Sequence, residues 1–190
     1  WGLSRALDFL EIDKSVAKEA VALVGHSRLG KAVLWAAAQD ERFAMVIANN
    51  SGKGGASLVR RNFGESINDL NLGFTHWFAG NYKNFNQNPS QLPVDSHDLL
   101  SLIAPRPIYI ASAEDDLWAD PKGEFLGALG ADPVYSMFGK VGLGTTICPS
   151  IHSPVGSYIR YHIRSGGHGV TKYDWQEFLN FADHHLLNEQ

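Results

Sequence analysis

This sequence predicts a three-layer α/β fold with a mostly parallel sheet. Three observations carry that expectation. Short apolar runs recur without polar alternation, as strands buried on both faces require. Amphipathic stretches lie between them, as crossover helices do. The first run, VALVG, leads through a Gly-containing turn straight into an Ala-rich helical stretch, the start of a βαβ-type unit.

Taken in order, residues 1–13 (WGLSRALDFLEID) place Leu3, Ala6, Leu7 and Leu10 at helical spacing. VALVG (21–25) reads as a buried strand, LGKAVLWAAAQD (29–40) as a helix, and FAMVIANNSG (43–52) as a second buried strand with a polar end. The segment 53–93 is rich in Asn, Gly and aromatic residues and reads as loop, followed by a short helix over 95–102. PIYIASAED (107–115) is a third strand ending in acids. PKGEFLGALG (121–130) is a helix that Gly130 stops, and VYSMFG (134–139) is a fourth strand. Gly, Thr and Pro make 140–157 a surface loop. IRYHIRSGGHG (159–169) runs into a Gly-His turn, and YDWQEFLNFADHHLL (173–187) is the final amphipathic helix. No repeat or low-complexity tract interrupts the pattern.

Size and charge exclude several classes of function. With 190 residues, 44% of them hydrophobic, the chain suits one compact core. A net charge of −4 offers no basic excess for nucleic acid or an anionic membrane surface. No apolar run is long enough to span a bilayer, and no leader peptide is visible before the helix that Trp1 opens. Cys148 is the only cysteine, so it forms no intrachain disulfide and lacks the partners of a zinc site. Five Trp suit a carbohydrate-facing surface as well as an ordinary core.

The turn between the first strand and its helix carries the chemistry. A strand, then Gly25-His26-Ser27-Arg28-Leu29-Gly30, then a helix is the setting of a nucleophile elbow. The turn lifts the Ser27 hydroxyl off the sheet edge. The amide of Arg28 opens the helix, where a developing oxyanion is stabilised. The second Gly falls one place later than in the usual G-x-S-x-G. A plain N-cap serine is the competing reading.

In the α/β-hydrolase fold the triad runs Ser, acid, His along the chain. Both later positions are filled. Past PIYIASA come Glu114, Asp115 and Asp116, and before the last helix comes His168 within GGHG. Of the eight His, His168 alone lies in a Gly-flanked turn that enters the terminal helix, so it is the candidate base. Asp116 is the leading acid, with Asp115 the alternative and Glu114 a weaker one. An exposed turn is the competing reading of His168, packing that of His26, and His184 and His185 read as solvent-facing or C-terminal residues.

GHSRLGK, NNSGKGG, LPVDSHDLLSLIAPRPIYIASAEDDLWADPKGEF and HIRSGGHGVTKYDW, in that order and over nearly the whole chain, together resemble the bacterial glucuronoyl esterases. These are α/β-hydrolases that cleave the ester between the (4-O-methyl-)glucuronic acid of xylan and lignin alcohols. The resemblance implies that Ser27 is the nucleophile, His168 the base and Arg28 the oxyanion-hole arginine. It implies that Lys31, Glu65 and Trp118 bind the sugar. Some members take the acid from the segment matching NNSGKGG, but the matching residue here is Asn50, which moves the role to Asp116. The resemblance further implies a glucuronoxylan or lignin-carbohydrate ester as substrate, no cofactor or metal, and secretion or a periplasmic location. Residues 1–190 then form the C-terminal portion of a catalytic domain whose early strands lie upstream, because only four strands are legible and the first already leads to Ser27. An acetyl xylan esterase, a catalytically incomplete fragment and a carbohydrate-binding relic are the alternatives.

Overall fold

The computed structural model describes residues 1–187. Five strands form one sheet in the order β1-β2-β3-β5-β4. They are β1 (Ala22–His26), β2 (Met45–Asn49), β3 (Ile108–Ala113), β4 (Val155–Gly156) and β5 (Ile159–Arg164). The β1–β2, β2–β3 and β3–β5 pairs are parallel, and only the short β4 runs antiparallel, against β5. The helices are α1 (Gly2–Ile12), α2 (Arg28–Gln39), α3 (Ile67–Gly73), α4 (Ser96–Ser101), α5 (Pro121–Met137) and α6 (Lys172–Ala182).

Side-chain alternation along the strands separates the two helix layers. Val46, Ala48, Ile108 and Ile110 face a core shared with Leu7 of α1, Val33, Leu34 and Ala37 of α2, Leu100 of α4 and Phe125 and Ala128 of α5. Their neighbours Met45, Ile47, Tyr109 and Ala111 face the other way, against Phe178 and Phe181 of α6. Both faces of β2 and β3 are therefore dry, which is why these strands read as unbroken apolar runs. This is the expected α/β-hydrolase type of architecture. Among the described residues no helix is long and apolar enough to cross a membrane.

Three segments differ from the sequence expectation. VYSMFG does not form a strand, because α5 continues through Gly130 and Pro133 to Met137. Ala128, Ala131 and Tyr135 are fully buried at helical spacing, and the Tyr135 hydroxyl donates to Arg106 O at 2.7 Å. That burial outweighs the local preference of Val and Tyr for extended backbone. The missing strand is instead IRYHIR, which pairs with β3 from Ile108↔Ile159 to Ala113↔Arg164. Its polar residues hide the strand pattern, yet His162 is fully buried between the Tyr109 hydroxyl and Asp174. The segment 53–93 is not wholly irregular either, since Ser66 and Asp69 form a capping box that starts α3.

The register has a functional result. β3 and β5 end level with each other, so the loops that follow Ala113 and Arg164 emerge side by side. β1 and β2 likewise end together at His26 and Asn49. Ser27, Asn50, Asp116 and His168 all lie just past these strand ends, at the carboxyl edge of the sheet where open α/β folds bind ligands.

Candidate active site

Ser27 directly follows β1 with φ 58° and ψ −129°, a conformation that costs an L-residue strain. Its amide donates to Asn49 O at 2.9 Å, extending the ladder to β2 by one rung. Two glycines make the turn possible. A Cβ on Gly25 would sit 2.2 Å from Leu29 O, and one on Gly30 would sit 2.9 Å from Ser51 Cβ. The later position of the second glycine thus serves the approach of α2 to the loop after β2. Arg28 is the first residue of α2 and is exposed. A helix leaves such a first-turn amide without an internal acceptor.

His168 Nδ1 lies 2.6 Å from Asp116 Oδ2, with the imidazole 45% exposed and the carboxylate 5%. Asp116 Oδ2 also accepts from Asn50 Nδ2 at 2.6 Å. Of the three acids after β3, Asp116 alone is buried; Asp115 is exposed, and Glu114 is half-buried. The carboxylate acceptor assigns the imidazole proton to Nδ1 and leaves the lone pair on Nε2. No hydrogen bond joins Ser27 Oγ to the imidazole among the described residues; such contacts commonly tighten only when substrate is bound.

His26, beside Ser27, packs its ring against His168 with centroids 4.5 Å apart. Its Nδ1 accepts from Asn49 Nδ2 at 2.8 Å, and the same amide donates to Gly169 O at 2.8 Å. Burial, then repulsion from His168, lowers the His26 pKa. The sequence does not single out Asn49, it offers Asn50 only as the residue at the alternative acid position and His26 only as a packing residue, and nothing in the local pattern says where these side chains point.

Lys31 and Glu65 meet. Lys31 Nζ donates to Ser51 O at 2.6 Å, Lys53 O at 2.7 Å and Glu65 Oε1 at 2.9 Å. The three ammonium hydrogens are therefore all engaged within the protein. Glu65 Oε1 also accepts from the Lys53 amide at 2.9 Å, and Oε2 takes no protein donor among the described residues. The Glu65 amide donates to Trp118 O at 2.9 Å, which ties the Asp116–Trp118 turn to Glu65. The Trp118 indole is exposed.

Below the loop that holds Lys31 lies Glu124 of α5, fully buried. Oε1 accepts from Ser51 Oγ and the Gly52 amide, and Oε2 from Ser112 Oγ at 2.6 Å. Burial pushes its pKa up to about 7, against the opposing pull of those bonds. Among the described residues no group of three or more His, Cys, Asp or Glu side chains is placed to hold a metal ion.

A family model described as glucuronyl esterase, fungi, matches residues 1–139. Carbohydrate esterase MZ0003, from an unknown prokaryotic organism, is 50% identical over 186 residues, covering 98% of this chain and 43% of that protein. A 4-O-methyl-glucuronoyl methylesterase of Phanerochaete carnosa is 36% identical over 148 residues, covering 73% of this chain and 36% of that protein. A solved glucuronoyl esterase from Solibacter usitatus superimposes with a TM-score of 0.93 at 57% identity, over 96% of this chain and 47% of that one. The chain thus spans less than half the length of these relatives.

Proposed function

Because this chain belongs to the glucuronyl esterase family, we propose that it hydrolyses esters of glucuronic acid by serine acyl transfer. Ser27 attacks the ester carbonyl while His168 Nε2 takes its proton, and Asp116 holds the imidazole in the tautomer this requires. The oxyanion that forms sits against the Arg28 amide, with the Arg28 guanidinium supplying fixed positive charge beside it. The imidazolium then protonates the departing alcohol, leaving the glucuronoyl group esterified to Ser27. Water, deprotonated by His168, releases the acid and restores the serine.

The observation that carries this reading is the 2.6 Å His168–Asp116 bond, with the His168 ring packed on His26, the residue before a serine held in a strained elbow. Around it, the exposed Trp118 indole suits the apolar face of a sugar ring, and Glu65 Oε2 suits a sugar hydroxyl. Lys31 reaches a hydroxyl only by exchanging one of its protein acceptors, so its role is first to hold Glu65 and the 51–53 loop. The substrate we propose is the (4-O-methyl-)glucuronoyl ester that joins glucuronoxylan to lignin alcohols. Such polymers lie outside the cell, which supports a secreted or periplasmic location.

Hydrolysis of methyl glucuronate by this chain and by Ser27→Ala tests the reading. Loss of turnover to background in Ser27→Ala supports it. Undiminished turnover overturns the nucleophile, and faster cleavage of acetyl than of glucuronate esters overturns the substrate class in favour of an acetyl xylan esterase.

A further inference from the structure

Arg164 ends β5 with its side chain only 3% exposed. A buried guanidinium is tolerated only where charge and donors are both matched. Its Nε donates to Asp174 Oδ2 at 2.7 Å, which supplies the countercharge. Its remaining bonds go elsewhere. Nη1 donates to Ser165 O at 2.8 Å, and Nη2 donates to Gly167 O at 3.1 Å and Gly169 O at 2.7 Å. Three carbonyls from one five-residue segment, 165–169, thus converge on a single planar fork, and His168 belongs to that segment.

The segment needs a brace. Gly166, Gly167 and Gly169 have no Cβ to restrict them, and Gly166 sits at φ 86°. Asn49 of β2 provides a second hold on the Gly169 carbonyl. Asp174 is itself anchored, since it caps α6 through Thr171 and accepts from buried His162. The fork is therefore fixed at one end to α6 and at the other to the backbone on both sides of His168.

We infer that Arg164 is a positioning residue for His168, shaping its glycine loop so that the imidazole stays against Asp116. The inference rests on the reading of His168 as the general base. A rival role, as mere counterion to Asp174, requires only the charge. Lysine keeps the charge and loses the fork, so Arg164→Lys separates the two.

The experiment compares the 190-residue chain with Arg164→Lys by two readouts. One is the low-field proton resonance of His168 Nδ1, assigned by its disappearance in Asp116→Asn. The other is kcat and KM on methyl glucuronate. We expect a folded Arg164→Lys in which the resonance is lost or broadened, kcat falls about 10- to 100-fold, and KM changes less than about twofold. A retained resonance with unchanged kcat overturns the inference. Should the wild type show the resonance but no turnover, the esterase reading fails while the resonance comparison still decides the role of Arg164. If Arg164→Lys does not fold, backbone relaxation of 166–169 in the wild type decides. A loop as rigid as β5 supports the brace, and fast disorder there overturns it.

Discussion

Asn50 stands 66 residues before Asp116, yet its amide donates at 2.6 Å to Asp116 Oδ2, the oxygen that His168 also reaches. Adjacent parallel strands make this possible, because β2 ends at Asn49 opposite Ala111 and the Asn50 amide still donates to Ala111 O at 2.8 Å. One carboxylate oxygen is thereby held by both the side-chain amide and the imidazole.

Asn50→Gly removes this donor while suiting the left-handed backbone at that position, φ 47°. Hydrogen bonds to charged groups contribute about 1.5–3 kcal/mol. We expect kcat/KM on methyl glucuronate to fall about 10- to 100-fold with the fold intact by circular dichroism. Activity equal to the wild type would show that Asp116 needs no second donor.

The choice of acid is tested by a pair of variants. Asp116→Asn should lower kcat by about 10³–10⁴, the scale of losing the residue that orients a catalytic histidine. Asp115→Asn, at an exposed position, should stay within about twofold. Equal losses in the two variants would contradict the assignment.

Lys31→Met leaves Glu65 with its charge unpaired, although the two side chains are only 11% and 6% exposed. Breaking one partner of such a pair costs about 3–5 kcal/mol. Urea unfolding should show a loss of that order, and the double variant Lys31→Met/Glu65→Gln should recover part of it. Additive losses would mean that the pair is not coupled.

Glu124 predicts a pH dependence of stability. Its folded pKa of about 7 lies above the ordinary 4.5. The folded chain therefore keeps a proton that the unfolded chain gives up between those values. Stability from this group is full below pH 4.5 and is lost as pH rises through 7, by roughly 3 kcal/mol at most. Glu124→Gln should remove this slope. Urea unfolding at pH 5, 6, 7 and 8 should show the wild type losing ground to the variant as pH rises, and parallel profiles would refute the account.

Much of the sheet is legible in the sequence because β1, β2 and β3 are apolar runs; burial on two faces demands that pattern in β2 and β3, whereas β1 leaves Val24 exposed. β5 is not, because His162 and Arg164 read as solvent-facing until Asp174 and Tyr109 are seen to satisfy them. VYSMF misleads by its composition, since only the packing of Ala131 and Tyr135 reveals a helix. At the site, chain order and Gly-flanked turns mark Ser27, Asp116 and His168. The contacts of Asn49, Asn50 and Lys31 depend on which loops converge, and that is a property of strand register rather than of local pattern.

The strained backbone of Ser27 sets stability and reactivity against each other at one position. Such conformations cost about 1–3 kcal/mol in an L-residue and almost nothing in glycine. A library of variants selected only for surviving heat should therefore enrich glycine at position 27, yielding a sturdier chain without its hydroxyl. A serine that persists in this turn under natural mutation is a signature of selection for chemistry, readable without any assay.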